Sequence, residues 1–178
     1  MSTGATTTTD ETFLPHLGWL AHAPGDEVAR LLRQGHFEAA EQAFFWRYLR
    51  SGDIVIDCGA HIGLYSRLSA RLVGPEGVVL ALEPNPQTAS LLARNLSESG
   101  SQWARLHAVA LSSCSGHGYL SLEPVGMSAH STLCPTSPPN GIIVETTTLD
   151  ALITAEKLAR ISLLKIDAEG HELEILKG

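Results

Sequence analysis

Continuous apolar runs alternate with segments of helical periodicity along most of the chain, and this alternation predicts an α/β fold. Consecutive apolar residues occur at 54–56, at 78–82 and, with few interruptions, at 161–167. Such runs bury both faces of a strand, as in a parallel sheet covered by helices. Apolar residues at helical spacing follow the first run, over residues 62–72. We therefore predict a mostly parallel sheet with helices on both faces.

The first predicted strand ends in a glycine-containing turn, Asp57-Cys58-Gly59-Ala60-His61-Ile62-Gly63. Gly59 and Gly63 mark positions where the backbone takes a positive φ or approaches a neighbour closely. The turn lacks the extra glycine with which a dinucleotide site reaches a pyrophosphate, so it suits a nucleoside ligand without one, such as S-adenosylmethionine. The alternative is a tight strand-to-helix turn that binds no ligand.

A second acid, Glu83, follows the next predicted strand, residues 78–82. In the Pro84-Asn85-Pro86 segment after it, the asparagine is expected to cap a helix whose first residue is proline. An acid at the carboxyl end of this strand can accept both hydroxyls of a ribose. The alternative is a solvated loop carboxylate.

The strand–helix alternation is interrupted after the third predicted strand, residues 104–111, whose exit loop is expected to pass near an adenine. Residues 119–122 and 142–147 have strand character, and a loop rich in Gly, Ser and Pro separates them over residues 123–141. We predict an inserted β-hairpin here. A loop of this length in a compact domain is usually functional or disordered.

The last predicted strand, residues 161–167, is apolar except for Lys165 and Asp167, which share a side-chain parity and therefore project to the same face. A buried lysine is costly unless it is paired or bound to something, so a functional site is one interpretation. The other is a simple salt bridge, with Glu169 and Glu172 complementing the dipole of the following helix.

No later segment is available to pair with this apolar strand, so we expect a truncated C-terminal sheet edge. A fragment of a longer protein is the favoured explanation. A partner chain that completes the sheet and a rearranged edge are the alternatives.

Three segments are expected. Residues 1–12, rich in Thr and Ser, are predicted to be a disordered tail. Residues 13–51 are predicted to form a helical cap, with helices over 26–34 and 37–50. Residues 52–178 then form the cofactor-binding domain, incomplete at its C-terminus.

The composition of the chain argues against several classes of binding partner. The formal charge of −7 argues against a duplex or membrane-surface binder. The absence of a signal-like start or a membrane-length apolar run predicts a cytoplasmic protein. The three cysteines and eight histidines lack the spacings of a disulfide framework or a metal site, so we predict no metal.

Five motifs, in order, resemble the FkbM-type family of S-adenosylmethionine-dependent methyltransferases: residues 55–63, 83–86, 109–112, 147–150 and 165–173. The resemblance implies a Rossmann-like class I methyltransferase sheet. It also implies methyl transfer, usually to a hydroxyl of a sugar, polyketide or other small-molecule natural product.

The resemblance also implies roles for residues at the cofactor. The glycine turn would line the methionine end and Glu83 would bind the ribose, although His61 stands where the family often has Asn. The full predicted cofactor set is Asp57, Gly59, Ala60, His61, Gly63, Glu83, Pro84, Asn85, Ala110 and Ser112.

For catalysis, Asp167 is the predicted base or orienting group for an acceptor hydroxyl. Lys165 would hold its orientation, and Glu169 and His171 are alternatives. Two other functions stay open: a nicotinamide-dependent oxidoreductase, which the missing third glycine disfavours, and a shortened, non-catalytic domain that binds cofactor or a partner. A homo-oligomer or partner chain over the open sheet edge also stays open.

Overall fold

The computed structural model describes residues 8–123, 131–134 and 136–178. Its centre is a four-stranded parallel sheet whose strands are β3 (Ile54–Cys58), β4 (Val78–Leu82), β5 (Ala104–His107) and β10 (Leu163–Ile166). The strand order is β10-β3-β4-β5, so β10 forms one edge of this sheet. The predicted parallel α/β sheet is therefore confirmed.

Helices cover both faces of this sheet, as expected from strands that are apolar on both sides. They are α3 (Leu64–Val73), α4 (Pro86–Glu98), α5 (Leu149–Ala155) and α6 (Glu172–Lys177). Val55 packs with α3 and Ala81 packs with α4 on one face. Ile56, of the opposite parity, packs with α5 and α6 on the other face.

A second four-stranded sheet stands where the sequence predicts an inserted hairpin. Its strands, in the order β6-β9-β7-β8, are β6 (Ala110–Leu111), β7 (Gly116–Ser121), β8 (Thr132–Cys134) and β9 (Gly141–Thr147). The antiparallel pairing of β7 with β9 confirms the hairpin. The prediction was wrong in placing β8 inside a loop, although residues 124–130 and 135 of that loop lie outside the described residues.

The single strand predicted over residues 104–111 is also wrong, because the structure divides it between two sheets. β5 ends at His107 and pairs with β4, whereas β6 begins at Ala110 and pairs with β9. Ala108 and Val109, which lie at the break, are apolar like the β6 residues after them, so hydrophobicity alone does not reveal it.

The N-terminal segment is not purely helical. A hairpin of β1 (Asp10–Leu14) and β2 (Gly18–His22) precedes α1 (Glu27–Arg33) and α2 (Ala39–Tyr48). Disorder was therefore the wrong prediction for residues 10–12, and residues 1–7 lie outside the described part of the chain. A buried contact of 3.0 Å between Thr12 Oγ1 and His22 Nε2 joins the two strands.

Asn95 of α4 fastens this hairpin to the domain. Its Oδ1 accepts from the Ala21 amide at 2.8 Å, and its Nδ2 donates to the carbonyls of Ala21 and Ile62 at 2.9 and 2.7 Å. Buried hydrogen bonds that satisfy an amide this fully fix the relative position of the elements they join. None of the helices among the described residues combines the length and apolar character needed to cross a membrane.

Candidate active site

A cavity of about 400 Å³ opens at the carboxyl ends of β3, β4 and β10. This is where open α/β sheets place their ligands, and the volume lies within the roughly 300–1,000 Å³ of small-molecule sites. Nine of the predicted site residues line it: Gly59, Ala60, His61, Glu83, Pro84, Ala110, Lys165, Asp167 and Glu169. The other five do not line the cavity formed by the described residues: Asp57, Gly63, Asn85, Ser112 and His171.

The two glycines of the turn are explained by a positive φ at both positions and, at Gly59, by a close approach to another segment's backbone. Gly59 has φ +74°, and a Cβ on it would lie 1.8 Å from the carbonyl oxygen of Asp167. Gly63 has φ +94°, and a Cβ there would lie 2.5 Å from Leu92 Cδ1. A tight turn thus accounts for the glycines themselves. The case for a ligand rests instead on the side chains around the cavity.

Glu83 presents a buried and rigidly held carboxylate. Its Oε2 accepts a hydrogen bond from the His61 amide at 3.0 Å, and its Oε1 accepts one from the Asn85 amide at 2.9 Å. Burial raises the pKa of Glu83 to about 7, although these two hydrogen bonds act in the opposite direction. Asn85 therefore acts behind the cavity, as the support for Glu83 and the N-cap of α4.

Lys165 lies between two carboxylates. Its Nζ is 3.5 Å from Asp57 Oδ1 and 3.5 Å from Asp167 Oδ2, which confirms that Lys165 and Asp167 share a face. Burial would lower the pKa of Lys165, but the nearby carboxylates outweigh it and raise that pKa. The side chain is therefore an ammonium at neutral pH. The salt bridge is present, and the same side chain also lines the cavity, so the salt bridge does not exclude a functional site.

Asp57 is completely buried and lies behind the cavity wall. Its Oδ2 accepts from Ser66 Oγ at 2.6 Å, whereas its Oδ1 has no hydrogen-bond partner among the described residues. Register pairs Asp57 with Lys165 on neighbouring strands, which explains their approach. The structure thus places Asp57 where it acts on the cavity through Lys165.

The two remaining alternatives for a base occupy different places. His171 Nε2 lies 2.9 Å from Ser112 Oγ, beside the cavity, and the pair joins the start of α6 to the loop after β6. Glu169 lines the cavity, and its carbonyl accepts from Thr132 Oγ1 at 2.9 Å. His61 has φ +49° and places Nε2 3.9 Å from Asp26 Oδ2 in the N-terminal segment.

Two residues that the sequence did not point to complete the wall at Lys165. The Tyr65 hydroxyl donates to Glu38 Oε2 at 2.5 Å, and the Lys165 ammonium lies 5.2 Å from the centre of the Tyr65 ring. Burial, together with Glu38, raises the pKa of Tyr65, so its hydroxyl stays protonated. Tyr65 has the helical spacing of a core residue and Glu38 belongs to no motif, so no sequence signal marks either.

The residues present fit a nucleoside with a charged end. The fixed Glu83 carboxylate can accept from two hydroxyls, the apolar strand ends flank it, and an ionic wall stands at Lys165. No group of three or more His, Cys, Asp or Glu side chains in the described ranges is placed to hold a metal ion.

Comparisons with known proteins find similarity to methyltransferases. The family model described as "Methyltransferase FkbM domain" matches residues 57–178. Hexuronic acid methyltransferase AglP of Haloferax volcanii is 32% identical over 126 residues, which cover 71% of this chain and 49% of that protein. Methyltransferase sdnD of Sordaria araneosa is 30% identical over 162 residues, covering 73% of this chain and 61% of that protein.

The chain therefore spans between about half and three fifths of the length of these curated relatives. A crystal structure of methyltransferase FkbM from Methylobacillus flagellatus is similar at a TM-score of 0.49 and 15% identity, over 84% of this chain and 37% of that one.

Proposed function

Since the chain belongs to the FkbM family of methyltransferases, we propose that it transfers a methyl group from S-adenosylmethionine to an oxygen of a sugar or other small-molecule acceptor. The observation that carries the proposal is the cavity at the strand ends with Glu83 held between two backbone amides. Family membership also favours this reaction over the nicotinamide-dependent oxidoreductase considered from the sequence.

Glu83 is the proposed ribose ligand. Each of its oxygens already accepts one backbone hydrogen bond, and a carboxylate oxygen has room for a second. Because the two amides fix the carboxylate before any ligand arrives, little ordering is needed when hydroxyls bind. The glycine turn beside it, with Ala60 and His61, would hold the methionine end.

When bound, S-adenosylmethionine supplies an electrophilic methyl group on a sulfonium sulfur. The protein then has to position the acceptor and exclude water. Asp167 is the proposed base: it is one of the residues that line the cavity, and its carboxylate would take the proton that the acceptor hydroxyl loses. Lys165 orients Asp167 through the 3.5 Å ion pair.

The acceptor class rests on two lines of support. One relative, the protein of Haloferax volcanii, is named a hexuronic acid methyltransferase. In this chain, carboxylates at the cavity are suited to accept hydrogen bonds from the hydroxyls of a sugar-like molecule. The sequence-based expectation of a hydroxyl acceptor therefore stays our proposal.

Isothermal titration calorimetry with S-adenosylhomocysteine and, separately, with NAD tests the proposal. We expect saturable binding of S-adenosylhomocysteine and none of NAD. Mass spectrometry of a panel of hexosides and hexuronic acids incubated with S-adenosylmethionine then identifies the methylated acceptor. Binding of NAD in place of S-adenosylhomocysteine would contradict the proposal.

A further inference from the structure

The cavity wall at Lys165 carries more negative than positive charge. Three carboxylates lie near the single Lys165 ammonium. Those of Asp57 and Asp167 are each 3.5 Å from it, and that of Glu38 is bound to Tyr65, whose ring centre is 5.2 Å from it. Lys165 is also the only lysine or arginine that lines the cavity in the described part of the chain. The ammonium therefore neutralises one carboxylate, and a negative potential remains at the wall.

The Glu38 side chain hydrogen-bonds to a residue of the cavity wall and does not cap the helix that begins after it. It occupies the N-cap position of α2, but its side chain makes no capping hydrogen bond. It accepts instead from the Tyr65 hydroxyl, across 27 residues of sequence. Its backbone adopts φ +43°, a left-handed conformation that is uncommon outside glycine. The hydrogen bond from Tyr65 thus holds the Glu38 side chain at the cavity.

Asp57 supplies the second part of the potential. It is fully buried, and its Oδ1 has no hydrogen-bond partner among the described residues, so Lys165 at 3.5 Å is what offsets its charge on that side. A buried carboxylate whose charge is offset only by an ammonium 3.5 Å away is stabilised further by a second positive charge nearby.

We propose that Glu38, held by Tyr65, selects the charge state of the cofactor. It favours S-adenosylmethionine, which has a positively charged sulfonium, over the neutral thioether S-adenosylhomocysteine. This inference rests on the proposed function, because it concerns the same cavity. Methyl transfer removes the charge on sulfur, so the attraction is present for the cofactor and lost for the product. Glu38, which lies outside the matched family region, thereby favours replacement of the bound product by fresh S-adenosylmethionine, while the product's own affinity stays nearly unchanged.

The test compares three probes by calorimetry without acceptor: S-adenosylmethionine, S-adenosylhomocysteine and sinefungin, whose amine provides a cation without a transferable methyl group. Removing one charge beside a partly solvated cation corresponds to about a tenfold change in affinity. We therefore expect Glu38→Gln to weaken both cationic probes about tenfold and to change S-adenosylhomocysteine less than about twofold.

Two further variants separate charge from structure. Glu76→Gln makes the same charge change in the exposed turn before β4, at the opposite end of the strands, and should leave all three affinities unchanged. Tyr65→Phe keeps the ring but removes the hydroxyl that holds Glu38, so it should weaken the cationic probes by a smaller factor. Thermal melting establishes that each variant is folded.

The wild-type protein provides a test that needs no variant. Added salt should weaken S-adenosylmethionine and sinefungin more steeply than S-adenosylhomocysteine, because screening acts on the charge interaction. Equal salt dependence, or equal losses for all three probes in Glu38→Gln, would overturn the inference and leave the proposed function standing. Failure of all three probes to bind wild-type protein would overturn both.

Discussion

Replacing Glu83 by glutamine should affect the stability of the protein and its affinity for the cofactor in different ways. Glu83 is 8% exposed, and both of its oxygens accept hydrogen bonds from backbone amides. In Glu83→Gln the side-chain NH2 faces one of these amide donors, so one hydrogen bond is lost. A buried donor left unsatisfied costs about 1–3 kcal/mol.

The loss of charge works in the opposite direction above neutral pH. The pKa of Glu83 rises from 4.5 to about 7 in the fold, so the folded protein binds the proton more tightly than the unfolded chain. Wild-type stability therefore falls as the pH rises from about 4.5 to 7, and by pH 8 the buried charge costs about 3 kcal/mol. Glutamine has no such cost.

These two effects predict that the difference in stability between Glu83→Gln and wild type depends on pH. At pH 5, where folded Glu83 is protonated, we expect Glu83→Gln to be less stable than wild type, by up to about 2 kcal/mol. At pH 8 the two should have similar stabilities, or the variant should be slightly more stable. Urea unfolding at both pH values measures this difference. A stability gap that does not depend on pH would refute the reasoning.

Unlike stability, the affinity for S-adenosylhomocysteine should be clearly weakened by Glu83→Gln at pH 8. Hydrogen bonds from hydroxyls to a carboxylate contribute about 1.5–3 kcal/mol each, so Glu83→Gln should weaken S-adenosylhomocysteine about tenfold to a hundredfold at pH 8. Because the bound hydroxyls favour the ionised form, wild-type affinity should also fall as the pH drops below 7. Undiminished affinity in the variant, measured by calorimetry, would refute the ribose assignment.

Three further predictions concern the remaining parts of the site. Asp167→Asn should abolish methyl transfer and change S-adenosylhomocysteine affinity by less than about twofold, as turnover and calorimetry would show; retained turnover would remove Asp167 as the base. Lys165→Met should lower the free energy of unfolding by about 3–5 kcal/mol, because it leaves Asp57 buried without its cation, and a second substitution, Asp57→Asn, should restore much of this; a harmless single variant would contradict the pairing. Gly59→Ala should destabilise the fold far more than Gly25→Ala, since both have φ +74° but only the Gly59 Cβ meets a backbone atom, at 1.8 Å; equal melting temperatures in the two variants would show that the contact is unimportant.

The central sheet and many of the residues that line the cavity were predictable because each depends on local sequence. Apolar runs identify buried strands whatever follows them, and an acid directly after such a run lies at the ligand-binding edge. Glu83 and Asp167 illustrate this, since both line the cavity.

The missed features depend on contacts between distant segments. Glu38 is hydrogen-bonded to Tyr65 at the cavity, and nothing near Glu38 in the sequence specifies that contact. Likewise, β1 is held by a buried Thr12–His22 pair, in a segment whose Thr-rich composition resembles disorder. Hydrophobic periodicity is insensitive to such polar contacts.

A crystal structure of the protein with S-adenosylhomocysteine tests the central claim most directly. We expect the nucleoside in the cavity at the ends of β3 and β4, with its ribose hydroxyls donating to Glu83 and its amino-acid end against the Gly59 turn. A nucleoside bound elsewhere, or a ribose that makes no contact with Glu83, would contradict the account.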